Sequence, residues 1–174
     1  MSDQNEIIEQ LQRKLDRLAK TVERLGTREA GETSARCYSA AGQSIPDNAY
    51  TIVNFNTVDF DPDGLVTTGS DWAFTAPVGG RYAVTACAAF VASTAWAETE
   101  AGLLAIFVEG VNVSKLARKD HYSSASTVVM TISGSDLVSL DAGERLDIRV
   151  YQNSGGALNL IADALLVRVA IWLI

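Results

Sequence analysis

Residues 72–92 decide the reading: Trp72-Ala73-Phe74-Thr75-Ala76-Pro77-Val78-Gly79-Gly80-Arg81-Tyr82-Ala83-Val84-Thr85-Ala86-Cys87-Ala88-Ala89-Phe90-Val91-Ala92. Two runs rich in β-branched and aromatic residues, 72–76 and 81–92, flank the turn residues Val78-Gly79-Gly80. Glycine supplies the backbone freedom a tight turn needs, and Pro77 just before it cannot donate to a strand ladder. Neither run has the 3.6-residue apolar period of a helix.

The same pattern extends in both directions. Further candidate strands are 35–40, 50–56, 103–109, 112–118, 126–133, 145–152, 158–162 and 164–173. Turn chemistry separates them at Pro46-Asp47-Asn48, Asp61-Pro62-Asp63-Gly64, Glu109-Gly110, Ser133-Gly134-Ser135, Asp141-Ala142-Gly143 and Ser154-Gly155-Gly156. About ten short strands in this span make an all-β sandwich or jelly roll. In the last run Leu165, Val167, Val169, Ile171 and Leu173 point to one face, and Ala164, Leu166, Arg168, Ala170, Trp172 and Ile174 to the other. One apolar face serves the core; the second calls for a cover from another sheet edge or a neighbouring subunit.

The N-terminal segment is different. Ile8, Leu11, Leu15, Leu18, Val22 and Leu25 recur at spacings of three and four, the seam of a coiled coil. Asp3 and Glu6 suit an N-terminal capping box, and Gly26 a C-terminal stop. The expected organisation is a coiled-coil trimerisation or attachment stalk over 1–25, a flexible neck over 26–34 and a β head over 35–174. Leucine at each d position suits a dimer, whereas uncharged Ile7 and Ala19 widen the seam toward three strands.

Composition narrows the function classes. With 174 residues and 48% hydrophobic content, the chain supports one real core and is not an intrinsically disordered polymer. Its net charge of −7 argues against a sequence-independent grip on nucleic acid and against a polybasic membrane anchor. The start lacks the order of a signal peptide, and the apolar tail from Ala164 is too short to span a bilayer, so a soluble protein with no membrane insertion is expected. Cys37 and Cys87 read as buried free thiols in a reducing compartment, with a disulfide as the alternative.

Chemistry is sparse. His121 is the single histidine and sits in the polar run 118–124, which reads as a solvated loop, so no catalytic set is expected and the chain is read as a non-enzyme. Asp59, Asp61 and Asp63 alternate before Gly64, like the start of a calcium loop, but Ser70 stands where a bidentate Glu is required. Calcium is the only cofactor to weigh, against a β-turn whose acids cap backbone amides. Trp96, in Ala95-Trp96-Ala97-Glu98, reads as a loop tip, a ring suited to stack on a sugar or plug a protein pocket and equally to cover a core edge. With Tyr122 it is the candidate receptor anchor, within loops 93–101 and 119–125.

Phe74, Pro77, Gly80 and Tyr82 match the Phe-x-x-Pro-x-x-Gly-x-Tyr signature of the globular head shared by complement-q-type and tumour-necrosis-factor-like proteins. Leu137 to Leu146, with Gly143 followed by Glu144, resembles that family's Leu-x-x-Gly-Asp-x-Leu strand pair, with Glu replacing the usual Asp. The family's aromatic-Gly-aromatic ending is replaced by Val169-Ala170-Ile171-Trp172. The resemblance implies a ten-stranded jelly roll assembling as a threefold homotrimer. Its last strand, through Leu166, Arg168, Ala170, Trp172 and Ile174, would lie near the axis. A heptad stalk with such a head also resembles small bacteriophage virion proteins, minor tail proteins and fibres. That implies a virion location, partners among other virion proteins, and a host-surface glycan or protein met by the head. Capsid decoration is the alternative, with a secreted signalling or lectin-like head further behind.

Overall fold

The computed structural model describes residues 10–18, 33–91, 96–121 and 129–174. Residues 10–18 are helical, and Leu11, Leu15 and Leu18 are all exposed on that helix. The other seam residues Ile8, Val22 and Leu25 lie outside the described residues, as does 26–32 of the expected neck. Thr33 and Ser34 belong to the head instead. Ser34 opens the first strand, and the buried Thr33 carbonyl accepts from the Leu173 N–H at 3.0 Å.

Thirteen strands are present among the described residues, in chain order β1 (Ser34–Tyr38), β2 (Gln43–Ile45), β3 (Thr51–Ile52), β4 (Thr57–Phe60), β5 (Val66–Thr67), β6 (Ala73–Thr75), β7 (Gly80–Phe90), β8 (Ala101–Val108), β9 (Val111–Asp120), β10 (Met130–Leu140), β11 (Arg145–Gln152), β12 (Leu158–Leu160) and β13 (Arg168–Leu173). The surplus over ten comes from short pieces such as β2 and β5, whose two or three residues carry no readable alternation. They form two antiparallel sheets. One runs β2-β12-β7-β13-β1-β4 with β10 also on β7, and the other runs β5-β6-β11-β8-β9 with β3 on β11.

The core lies between the sheets. Val84, Ala86, Ala88 and Phe90 of β7 and Val169 and Ile171 of β13 face Leu104 and Ile106 of β8 and Leu146, Ile148 and Val150 of β11. Period-two burial along β7 and β13 follows from the pleat, which sends successive side chains to opposite faces.

Ser133-Gly134-Ser135 is not a turn. It lies in the middle of β10, paired with Cys87, Ala86 and Thr85 of β7. A Cβ on Gly134 would run into the Leu116 backbone carbonyl of β9, so the glycine marks a close approach of two strands from different sheets. Ser114 of β9 donates to the Asp136 carboxylate at 2.5 Å beside it, and the sandwich closes along that edge. The last run is also shorter than its pattern. Residues 164–166 form a turn in which Asp163 accepts from the Leu165 N–H, leaving Leu165 exposed and Leu166 outside β13.

Candidate functional site

Phe74, Pro77, Gly80 and Tyr82 converge at one corner of the sandwich. The Phe74 and Tyr82 rings meet edge-on at 5.5 Å, and both are buried. The Tyr82 hydroxyl donates to the Val78 carbonyl at 2.7 Å and so ties the β6–β7 turn to the strand it enters. Gly80 leaves room for Leu173, whose Cδ1 lies 2.7 Å from where a Cβ would stand. Gly143, at φ 89°, donates to the Ala76 carbonyl at 2.7 Å, and Ala76 donates back to Glu144. The Glu144 carboxylate caps Asp141 N–H at 2.8 Å. These residues hold the corner together, which makes the motif architectural.

Trp96 is not a loop tip. It is fully buried and packs edge-on against Phe90 at 5.7 Å, because the chain turns it inward at the mouth of β8. A buried ring cannot anchor a receptor. Tyr122 lies outside the described residues, while 119–120 belong to β9 and Ala101 to β8 rather than to loops. His121 is likewise buried, not solvated; its backbone N–H donates to the Glu100 carbonyl at 2.8 Å, and its backbone carbonyl accepts from the Thr99 N–H at 3.0 Å.

The aspartates 59, 61 and 63 do not gather. Asp61 turns its two carboxylate oxygens to the N–H groups of Leu65 and Val66, each at 2.9 Å, and Asp59 pairs with Arg36 at 3.2 Å. The segment is a capped turn. Among the described residues no cluster of three or more His, Cys, Asp or Glu side chains is placed to hold a metal.

Both cysteines are free thiols, but only Cys37 is buried; Cys87 is half-buried and faces outward from β7. Burial pushes Cys37 up to about 11, with the Trp72 indole acting against it and the Asp61 and Asp59 carboxylates adding to it. Burial also raises Cys87, which Arg168 beside it partly offsets.

Two outward faces remain. On the β11–β8 sheet, Arg149 pairs with Asp147 at 2.7 Å and lies over the Phe107 ring at 4.1 Å, and Tyr50 packs on both Phe107 and Tyr151. The pairing with Asp147 holds the Arg149 guanidinium even further above its ordinary value. That patch satisfies itself.

The β7–β13 face does not. Cross-strand register sets Leu137, Ala83, Trp172 and Ser34 in one row, Ser135, Thr85, Ala170 and Arg36 in the next, and Ser133, Cys87, Arg168 and Tyr38 in a third. Trp172 is 38% exposed, Ile174 55% and Leu137 58%, beside small side chains such as Ala83, Thr85, Ala170 and Ser135 and the longer Arg36, Arg81 and Arg168. Depressions between these rows are lined by Ala83, Leu137 and Trp172, and by Arg81, Ser139 and Ile174. Arg168, Ala170, Trp172 and Ile174 thus share the face their alternation predicted; Leu166 does not extend that strand. Sequence alone does not show the partners of this row on β10, since Leu137 enters it only through the family motif and the pairing is set by strand register. Among the described residues no helix is long and apolar enough to cross a membrane.

The fold is that of the tumour-necrosis-factor and complement-q globular heads. Similar solved structures are Eiger TNF from S. frugiperda (11% identity, TM-score 0.60, covering 84% of this chain and 94% of that one), murine APRIL at pH 5.0 (12%, 0.57, 84% and 100%) and the globular domain of the zebrafish complement 1qA protein (16%, 0.53, 82% and 98%). By sequence, no protein-family description and no characterised protein matches the chain.

Proposed function

We propose that the chain is a non-enzymatic, homotrimeric display module: a jelly-roll head on a coiled-coil stalk, serving as a virion structural protein of the phage minor-tail or fibre type. The observation that carries the self-association is the β7–β13 face, where Trp172, Leu137 and Ile174 stand exposed around a floor of Ala83, Thr85, Ala170 and Ser135. Large apolar side chains beside small ones on a flat sheet call for a cover, and head-to-tail contacts closing a threefold ring bury that surface in each of three copies. The exposed Leu11, Leu15 and Leu18 stripe supports a parallel arrangement of stalks.

In this reading the stalk docks on the particle and the head projects to the host surface, where threefold display strengthens modest individual contacts. The virion role rests on the combination of heptad stalk and jelly-roll head. Immunogold labelling of intact particles tests it. Label at the tail supports the reading, and label scattered over the head shell moves the protein to capsid decoration.

A further inference from the structure

In the centre of the β7–β13 face lies a depression of about 450 Å³ lined by Arg36, Arg168, Cys87, Thr85 and Ser133. Its charge is opposite to that of the molecule. The head is acidic overall, yet this depression is lined by Arg36 and Arg168 and by no acid; the acids of the same face lie further out, Asp59 at its β4 edge and Asp136 and Asp141 in the depressions beside Trp172 and Arg81. Arg36 and Arg168 are diagonal neighbours across the β1–β13 pair, because Arg36 is opposite Ala170 and Tyr38 is opposite Arg168. Such neighbours have Cα atoms roughly 7–8 Å apart, within joint reach of one small ligand.

Arg36 has Asp59 as its partner, on the side facing β4. Arg168 forms no ion pair among the described residues; the group it acts on is the Cys87 thiol. A guanidinium closed off from water without a counter-charge is costly, and an assembly that buried this face would bring several together.

We propose that this depression is a binding site for a tetrahedral oxyanion, phosphate or sulfate. The planar fork of Arg168 donates two parallel N–H bonds to such an ion, Arg36 adds positive charge from the diagonal, and the Ser133 hydroxyl supplies a neutral donor. Thr85 completes the rim, its hydroxyl turned to the Gly134 carbonyl at 3.4 Å. The anion neutralises the arginines of a face that is otherwise suited to burial. Its role in assembly rests on the trimer reading; its binding to the depression does not.

The test is calorimetric titration of the full chain with inorganic phosphate and, separately, sulfate at constant ionic strength, with the mass measured by light scattering on the same samples. Saturable binding is expected, weakened about tenfold or more in Arg168→Gln, as suits loss of a charge-assisted pair, and partly recovered in Arg168→Lys. Absence of saturable heat overturns the site, as does equal binding by Arg168→Gln. A monomer mass with saturable, Arg168-dependent binding upholds the site and removes the trimer reading. A trimer mass with no binding removes the site alone.

Discussion

Trp172 stands directly opposite Ala83 across the β7–β13 pair, with Leu137 on the far side of the same Ala83. A ring and an isobutyl group on either side of a methyl form a ridge and a step on one sheet face. In a single chain that relief stays in water, at 38% exposure for Trp172 and 58% for Leu137. The outward side of the last strand thus carries exposed apolar relief, set beside Arg36, Arg81 and Arg168 of the same face.

If this relief is an interface, Trp172→Ala removes its largest anchor. Loss of a central aromatic costs about 2 kcal/mol or more per contact, roughly thirtyfold in affinity. Sedimentation should show dissociation at concentrations where the parent chain stays assembled, with an unchanged far-ultraviolet spectrum. Unchanged assembly would place the interface elsewhere.

Tyr82→Phe tests the motif corner. It deletes the hydrogen bond to the Val78 carbonyl while keeping the ring against Phe74. The expected loss is about 1 kcal/mol, seen as a fall of about 2–4 °C in the melting temperature. The oligomer mass should not change, because the corner lies in the core and not on the outward face.

Two glycine substitutions should differ sharply. Gly134→Ala drives a methyl into the Leu116 backbone carbonyl, which no side-chain rotation relieves, and should cost about 1–3 kcal/mol. Gly156→Ala meets nothing within 4 Å and should stay within about 0.5 kcal/mol of the parent. Urea denaturation of the two variants checks the contrast; equal stabilities would mean that β9 and β10 do not approach as described.

Cys37 gives a pH dependence with a definite sign. Its folded-state value of about 11 lies above the ordinary 9.0, so the folded chain holds this proton more tightly than the unfolded chain. The corresponding stability is fully present below pH 9 and is lost as pH rises through about 11. Denaturation midpoints between pH 8 and pH 11 should therefore fall more steeply for the parent than for Cys37→Ala. Parallel falls would contradict the burial of the thiol.

Much of the fold was legible because it is written in local chemistry. Turns such as Glu109-Gly110, with φ of 48° and 79°, announce themselves by residue type, and the alternation of Val167, Val169 and Ile171 marks a core face directly. Ser133-Gly134-Ser135 misled because glycine serves both turns and close strand approaches, and only the position of Leu116 decides between them. Trp96 misled for a related reason. Small and acidic neighbours suggest a loop tip, but the partner that buries it, Phe90, is fixed by tertiary packing. The site was half legible. The row Arg168-Ala170-Trp172 follows from period two, whereas Cys87, Ser133, Thr85 and Arg36 join it only through the register of four strands.

The central claim is that this head assembles through its β7–β13 face, with the stalks alongside. Light scattering of the purified full chain tests it most directly. The account predicts a single species of about three times the 18.6 kDa chain mass, persisting to low micromolar concentration. A single species at 18.6 kDa across that range would contradict it.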